Sequence, residues 1–254
     1  MSNFDDKQGV KKTLEAYGIR TPKTHGFLRE VSGFAEFWKC QEQLKEFVFK
    51  PNALSAGMHV HVVKKRRGEY LELDGATHDS SYYEDEAFEI LMNNPRTTPG
   101  VMMEETIHTH KKITDLYGVR TGIADIRLFV VNDLVRLGWM RTPCKASGYM
   151  SNWCKGAVTY FISTDGKIID GTELMTDYRS KHPDTDKNPT GKSLPFWKQI
   201  MRTAEKVALA FTEPFHTIDL TVNEDGDVVV IEGEEHPDLK MMTRETLKIL
   251  GRCN

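Results

Sequence analysis

Residues 218–238 read IDLTVNEDGDVVVIEGEEHPD, the pattern of two strands joined by a tight turn. Ile218, Leu220 and Val222 alternate with Asp219 and Thr221, which is strand periodicity. Asn223-Glu224-Asp225-Gly226 is turn chemistry, with Asp-Gly a hairpin signal. Val228 to Ile231 is a continuous apolar run, as in a strand buried on both faces. Acids surround it: Asp219 on the first strand, and Glu232, Glu234 and Glu235 at the end of the second. Glu232 and Glu234 are two apart and point to one face of a strand, where Asp219 can join them. Three converging carboxylates repel one another and call for cations. Hard oxygen ligands with an open face suit Mg²⁺ carrying a nucleotide's phosphates. The same residues also read as an acidic hairpin rim facing solvent.

The chain around this stretch has 254 residues, enough for one large domain or two lobes with a sizeable core. Formal net charge is -3, which disfavours bulk nucleic-acid binding. Cys40, Cys144, Cys154 and Cys253 form no C-x-x-C pair. That argues against a zinc site or a disulfide scaffold and fits a reducing cytoplasm. The start, MSNFDDKQGV, lacks the apolar core of a signal peptide. No run approaches the roughly 18 apolar residues of a membrane span.

Upstream of the hairpin, Asp5 to Tyr17 has helical spacing and stops at Gly18. A second helix is expected over Gly33 to Leu44. Phe47 to Pro51 is a short buried-type strand with Lys50 near its end. The small-residue loop Asn52 to Met58 follows, then an alternating strand from His59 to Val63. Strand, flexible loop, strand is a way to fold backbone N–H groups over phosphates, and Lys50 could reach the same phosphates. The P-loop pattern G-x-x-x-x-G-K-[ST] is absent. Two H-x-H pairs, His59/His61 and His108/His110, read as polar strand faces in preference to metal ligands, since no H-E-x-x-H spacing accompanies them. Lys64 to Gly68 reads as a solvated basic turn, and Asp85 to Asn93 as a helix.

Val101 to Ile107 is an apolar strand running into Glu104 and Glu105, and marks a lobe boundary. Ala124 to Val131 is a strand with Asp125 and Arg127 on one face. A turn at Asn132-Asp133 returns the chain through Leu134 to Arg141. Ser151 to Ala157 is a polar loop before the strand Val158 to Ile162. Thr164 to Ser193 has the composition of a long mobile surface segment, a candidate cover for a substrate. Ser193 is the expected cap of the next helix, with Pro195 in its first turn. That helix has a regular apolar stripe from Phe196 to Phe211. A last helix is expected over Leu239 to Leu250.

With these pieces in order, nearly the whole chain resembles the ATP-grasp superfamily, and within it the ribosomal-protein glutamate ligase branch. Asp6-Lys7 and Gly18-Ile19-Arg20-Thr21-Pro22 are similar to that family's opening. Phe49-Lys50-Pro51 through Gly57 is similar to its phosphate loop, and Val101 to Ile107 to its adenine hinge. Asp125-Ile126-Arg127-Leu128-Phe129-Val130-Val131 resembles its D-I-R-x-x-V-V strand. Ser151-Asn152 with Gly156 resembles S-N-x-x-x-G, and Asp219, Glu232 and Glu234 stand where D … E-x-N occurs.

The resemblance implies an α+β ATP-grasp fold. It has an N-terminal lobe (1–107) and a C-terminal lobe (108–254), each a mostly antiparallel sheet with helices, with ATP bound between them. It implies a cytoplasmic ATP-dependent carboxylate–amine ligase working through an acyl phosphate. A small-molecule kinase and a non-catalytic ATP-binding protein are the alternatives. Lys7, Lys50, Ser55, Gly57, Glu104, Glu105, Thr106, Ile107 and Asp125 would bind the nucleotide. Arg127, Arg141 and Asn152 would face the transferred phosphoryl group. Asp219, Glu232 and Glu234 would hold Mg²⁺ or Mn²⁺. Substrates would be small-molecule or peptide carboxylates and amines, with no membrane.

Three features depart from the family pattern. Glu234 replaces asparagine, Asp238 replaces a glycine, and the sequence starts at Asp6-Lys7 without the α/β domain that usually precedes this core. The expectation is a minimal enzyme, or one whose missing surface comes from a partner chain. Cys154, beside Asn152, reads as structural.

Overall fold

The computed structural model describes residues 4, 6–54, 57–93, 99–211 and 213–252. They form two compact units. One comprises residues 5–8 and 22–107, the other 1–4, 9–21 and 108–254.

The first unit is a six-stranded antiparallel sheet. Its strands are β1 (Thr24–Leu28), β2 (Glu46–Pro51), β3 (His61–Arg66), β4 (Glu69–Glu72), β5 (Thr77–His78) and β6 (Val101–Glu104). Their order is β1-β6-β2-β3-β4-β5. Two helices complete it, α2 (Phe34–Lys39) and α3 (Ser80–Met92). Alternation decides the packing face. Phe47 and Phe49 of β2, Val63 of β3 and Met103 of β6 meet Phe34 and Phe37 of α2 and Tyr83, Ala87 and Ile90 of α3. Helix α3 starts five residues earlier than its apolar pattern suggests, because the Asp79 side chain accepts from the Ser81 and Tyr82 N–H groups. Lys64 to Arg66 extend β3 instead of turning, and the turn is confined to Arg67-Gly68, both with φ above 50°.

The second unit holds the other six-stranded antiparallel sheet: β7 (Asp125–Val131), β8 (Leu134–Thr142), β9 (Val158–Ile162), β10 (Ile168–Ile169), β11 (Phe215–Val222) and β12 (Val228–Glu234). The order is β10-β9-β8-β7-β11-β12. Its helices are α4 (Lys111–Tyr117), α5 (Trp197–Ala210) and α6 (Arg244–Ile249), and most of α1 (Lys7–Ala16) groups with them. Ile126, Leu128, Val130, Met140, Tyr160, Ile162, Ile218 and Leu220 face one side. There Val10 and Leu14 of α1, Ile113 and Tyr117 of α4, and Ile200, Ala204 and Val207 of α5 cover them. Each such side chain contributes roughly 2 kcal/mol by leaving water. On the opposite face Phe129, Leu137, Trp139 and Phe161 pack against Met175, Met241 and Met242. These apolar residues cover only part of that face, and the rest is polar.

Several local readings are corrected. The run Val228–Ile231 is an edge strand, with Val229 and Val230 buried and its neighbours half-buried. The Val230 N–H donates to the Arg20 carbonyl at 2.9 Å, which covers part of that edge. Ser193 does not cap α5, which follows Phe196 in the left-handed region (φ 66°) with no side-chain cap. Helix α4 carries no apolar stripe long enough to stand out. His110 caps it by accepting from the Lys112 N–H, and Gly118 (φ 91°) ends it. The segment 164–193 is tied down. His182 is fully buried against the Pro143 carbonyl at 3.1 Å, and the Thr185 hydroxyl donates to the Tyr117 carbonyl at 2.5 Å. Phe4 packs at a tilt against Phe211, ring centroids 4.6 Å apart. A Cβ added to Gly233 would come within 2.5 Å of the Phe4 ring.

Candidate active site

In the second unit, pairing register builds a row of charge across four strands. Arg127 on β7 lies opposite Asp219 on β11, and Asp219 lies opposite Glu232 on β12. Two residues along β7, Asp125 lies opposite Arg141 on β8. Directly paired residues share a sheet face, so all five project from the partly uncovered one. A bulge between Asp219 and Leu220 keeps the acids of β12 in step with Asp219.

The contacts are those of a buried ion network. Arg127 grips Asp219 bidentately, Nε to Oδ1 and Nη2 to Oδ2 at 2.7 Å each. Arg141 Nη2 donates to Asp219 Oδ2 at 2.7 Å and also to Asp125. Arg127 Nη2 lies 3.1 Å from Glu234 Oε2. The carboxylates expected to need a metal are thus met first by guanidinium groups. Burial opposes the charge on Asp219, but Arg127 and Arg141 outweigh it and hold its carboxyl below the usual range. Burial raises Asp125, with the neighbouring Asp219 charge adding to the effect and Arg141 opposing it. Burial also raises Glu234, which Arg127 only partly offsets.

Among the described residues, the carboxyl groups of Asp125, Asp219 and Glu234 contact the two guanidinium groups of Arg127 and Arg141. Asp125 Oδ1 and Arg141 Nε are buried with no hydrogen-bond partner among the described residues. So is Thr159 Oγ1, in register with Arg141 across β8 and β9. Orphaned buried polar atoms are rare in proteins and point to a polar guest. Thr159 was not among the residues singled out from sequence. Its only signal is a lone hydroxyl between Val158 and Tyr160 in an apolar strand. Asn152 is engaged elsewhere, capping a short 3₁₀ turn through the Cys154 N–H at 2.9 Å.

The other expected residues lie in the first unit. Lys50 Nζ pairs with Glu104 Oε2 at 2.6 Å, both side chains buried. The cation expected at phosphates and the acid expected at adenine therefore hold each other. Lys7 Nζ donates to the Leu54 carbonyl at 2.5 Å. Glu105 accepts from the Lys23 N–H at 3.0 Å, Ile107 is buried, and the buried Thr106 hydroxyl has no partner among the described residues. Gly57 turns in the left-handed region (φ 65°). Ser55 lies outside the described residues. His59 and His61 converge on Glu86, whereas His110 caps α4.

All-oxygen donors with surplus negative charge suit Mg²⁺ chemically. Among the described residues, however, no group of three or more His, Cys, Asp or Glu side chains is arranged to hold a metal ion. Asp219 would have to share lone pairs with its two arginines. A separate cavity of about 360 Å³ beside Arg20, Lys206 and Asp227 shares no residue with this network. Among the described residues no helix is long and apolar enough to cross a membrane.

Comparison with known proteins agrees with this architecture. No curated protein matches the chain. Among solved structures, a D-cycloserine synthetase superposes with a TM-score of 0.53 at 13% identity, over 98% of this chain and 69% of that one. The D-Ala:D-Ser ligase of Enterococcus faecalis gives 0.58 at 16%, over 98% and 57%. The D-alanine–D-alanine ligase of Bacillus anthracis with ATP gives 0.51 at 16%, over 97% and 61%. The chain thus spans less than two thirds of the length of those two ligases. These likenesses establish the ATP-grasp fold. The family model for sugar-transfer associated ATP-grasp proteins matches residues 1–249. The chain belongs to the sugar-transfer associated ATP-grasp family.

Proposed function

We propose that the protein is an ATP-dependent carboxylate–amine ligase. The observation that carries this reading is the buried network of Asp125, Arg127, Arg141 and Asp219, with its orphaned polar atoms among the described residues, on the polar part of the sheet face. The fold shared with ligases supports it.

A substrate carboxylate oxygen attacks the γ-phosphorus of ATP and the β–γ bridging oxygen leaves with ADP, giving an acyl phosphate. An amine nitrogen then attacks the acyl carbon. Inorganic phosphate leaves, the nitrogen loses a proton, and an amide remains. Phosphoryl transfer of this kind depends on positioning and on neutralising spread charge. Arg127 and Arg141 supply fixed cations for that charge, and Asp125 offers Oδ1 to ribose hydroxyls. Asp219, Glu232 and Glu234 would hold Mg²⁺, which supplies charge neutralisation at the phosphates when bound. Lys7 and Lys50 would meet ATP phosphates, and Glu104 to Ile107 the adenine. Asn152, Ser55 and Gly57 remain proposed contacts on the resemblance alone.

The Asp125–Val131 strand supports kinship with ribosomal-protein glutamate ligases, while the family description points toward sugar transfer. An acceptor panel therefore has to include amino acids, short peptides and amino sugars. The test is ADP release from Mg²⁺-ATP across that panel, in the natural protein and in Glu232→Ala. Amine-dependent ADP release that disappears in the variant supports the ligase. Release with a hydroxyl acceptor and no amine would instead identify a kinase. Nucleotide binding with no ADP under any acceptor would make the protein a sensor.

A further inference from the structure

The strands of the second sheet contain four threonines, all buried: Thr142 on β8, Thr159 on β9, and Thr217 and Thr221 on β11. Three of them donate to a backbone carbonyl. Thr142 reaches Val158 at 3.2 Å, Thr221 reaches Ala124 at 2.7 Å, and Thr217 reaches Glu234 at 3.5 Å. Thr159 is 4% exposed, and its hydroxyl has no partner among the described residues. A buried hydroxyl ordinarily finds a partner, because an unmade bond in the interior costs stability.

A second group on the same face is in the same condition. Trp139, two residues before Arg141 on β8, is 2% exposed, and its Nε1–H is without a partner among the described residues. Phe129 and Phe161 flank the indole, ring centroids 4.7 and 5.7 Å away, so packing fixes the ring. Arg141 lies opposite Thr159, and Trp139 lies opposite Phe161. Arg141, Trp139 and Thr159 therefore share the face that carries the ion network. Arg141 commits Nη2 to Asp125 and Asp219, while its Nε–H has no partner among the described residues. The three residues offer a guanidinium N–H, an indole N–H that can only donate, and a hydroxyl. Three donors, one of them charged, complement a small anion with two or more oxygens. An ammonium group, itself only a donor, has nothing to bond here.

We propose that Thr159 and Trp139 are substrate-contacting residues that hold the substrate carboxylate beside Arg141. This rests on the ligase reading given above and adds two residues to it. One carboxylate oxygen accepts these bonds, and the other keeps its lone pairs for the γ-phosphorus. The bonds are made before and during phosphoryl transfer alike, so losing one raises the KM for the carboxylate and leaves kcat nearly unchanged. The unmet hydroxyl gives the substitution a second signature. Valine has the shape of threonine without the polar group, so Thr159→Val costs the unliganded fold nothing or stabilises it.

The test measures ADP release from Mg²⁺-ATP with the amino acid or short peptide that gives the fastest turnover, varying the carboxylate substrate and ATP in turn. It compares the natural protein with Thr159→Val, Thr159→Ser, Trp139→Phe and Thr164→Val, a control at an exposed threonine. In Thr159→Val the KM for the carboxylate is expected to rise at least tenfold, while kcat and the KM for ATP change less than threefold. Its chemical-denaturation midpoint stays the same or rises. Thr159→Ser, which keeps the hydroxyl, returns the carboxylate KM to within threefold of the natural value. Trp139→Phe raises that KM as well, and Thr164→Val behaves as the natural protein. Should Trp139→Phe fail to fold, the two Thr159 variants carry the test. A natural protein whose ADP release responds to no acceptor overturns the ligase reading and this proposal together. An unchanged carboxylate KM in Thr159→Val, beside an active natural protein, overturns this proposal alone. So does a lower denaturation midpoint, which would show the hydroxyl already bonded in the unliganded protein. A rise in the KM for ATP instead would move Thr159 to the phosphates and overturn the carboxylate assignment.

Discussion

Each six-stranded sheet buries a group of ionised side chains, and the two groups are built on different terms. In the first unit a single imidazolium lies between two carboxylates, and Lys50 pairs with Glu104. No buried polar atom of His61, Glu72 or Glu86 lacks a partner among the described residues. In the second unit Asp125, Asp219 and Glu234 contact two guanidinium groups, and among the described residues Asp125 Oδ1, Arg141 Nε and Thr159 Oγ1 are left over. A closed network stabilises and rigidifies a fold, whereas one with orphaned atoms and surplus charge is finished by something else. The contrast separates a charged group with every partner in place from one left open.

The sharpest way to break this contrast is Arg127→Ala. If the second network serves chemistry, ADP release falls by about 10²–10³-fold, the scale of losing one charge-stabilising group. A loss below tenfold would place Arg127 among structural residues. Next is Lys50→Met, which removes the Lys50 ammonium from the buried Glu104 carboxylate. Chemical denaturation should show a loss of about 3–5 kcal/mol, the scale of breaking a buried pair. An unchanged midpoint would mean that Glu104 finds water or another donor.

Third is pH. Burial disfavours a charged His61, but Glu72 and Glu86 outweigh it and raise its pKa from 6.5 to about 9. A raised pKa means that the stabilisation is fully present below 6.5 and is lost as pH rises through about 9. It is worth roughly 3 kcal/mol by linkage. Stability measured from pH 6 to 10 should therefore decline across that window, and Glu86→Gln should flatten the decline. The smallest effect is expected at Glu234→Gln. Because burial raises the Glu234 pKa, its charge is a liability to the apo fold. Neutralising it should leave stability unchanged or raise it by up to about 1 kcal/mol. A clear loss would show that the acid excess is not in excess.

Much of this was legible from short-range pattern. Strand period put Asp125 with Arg127 on one face of their strand and Asp219 with Glu232 and Glu234 on one face of the hairpin, because side-chain period in a strand is fixed. The Asp-Gly turn fixed the pairing of the last two strands. What the pattern could not show was partnership across distance. Acids at 219 and 234 looked short of cations because Arg127 and Arg141 lie far away in sequence. Glu86 lies 25 residues from His61 on a different element, so the histidines looked like polar strand faces. Helix boundaries shifted where capping rather than apolar spacing decided them, at Asp79 and Phe196.

The contact between Phe4 and Gly233 has a consequence for how such a sequence can change. Glu232 and Glu234 are separated by a residue whose side-chain space is already filled by an aromatic ring from the opposite end of the chain. In evolutionary terms, positions 4 and 233 behave as one variable. Alanine or anything larger at 233 is accessible only after position 4 has shrunk, and relatives that vary one should covary the other. The spacing of the two acids is thereby protected by a hydrophobic residue with no part in their chemistry.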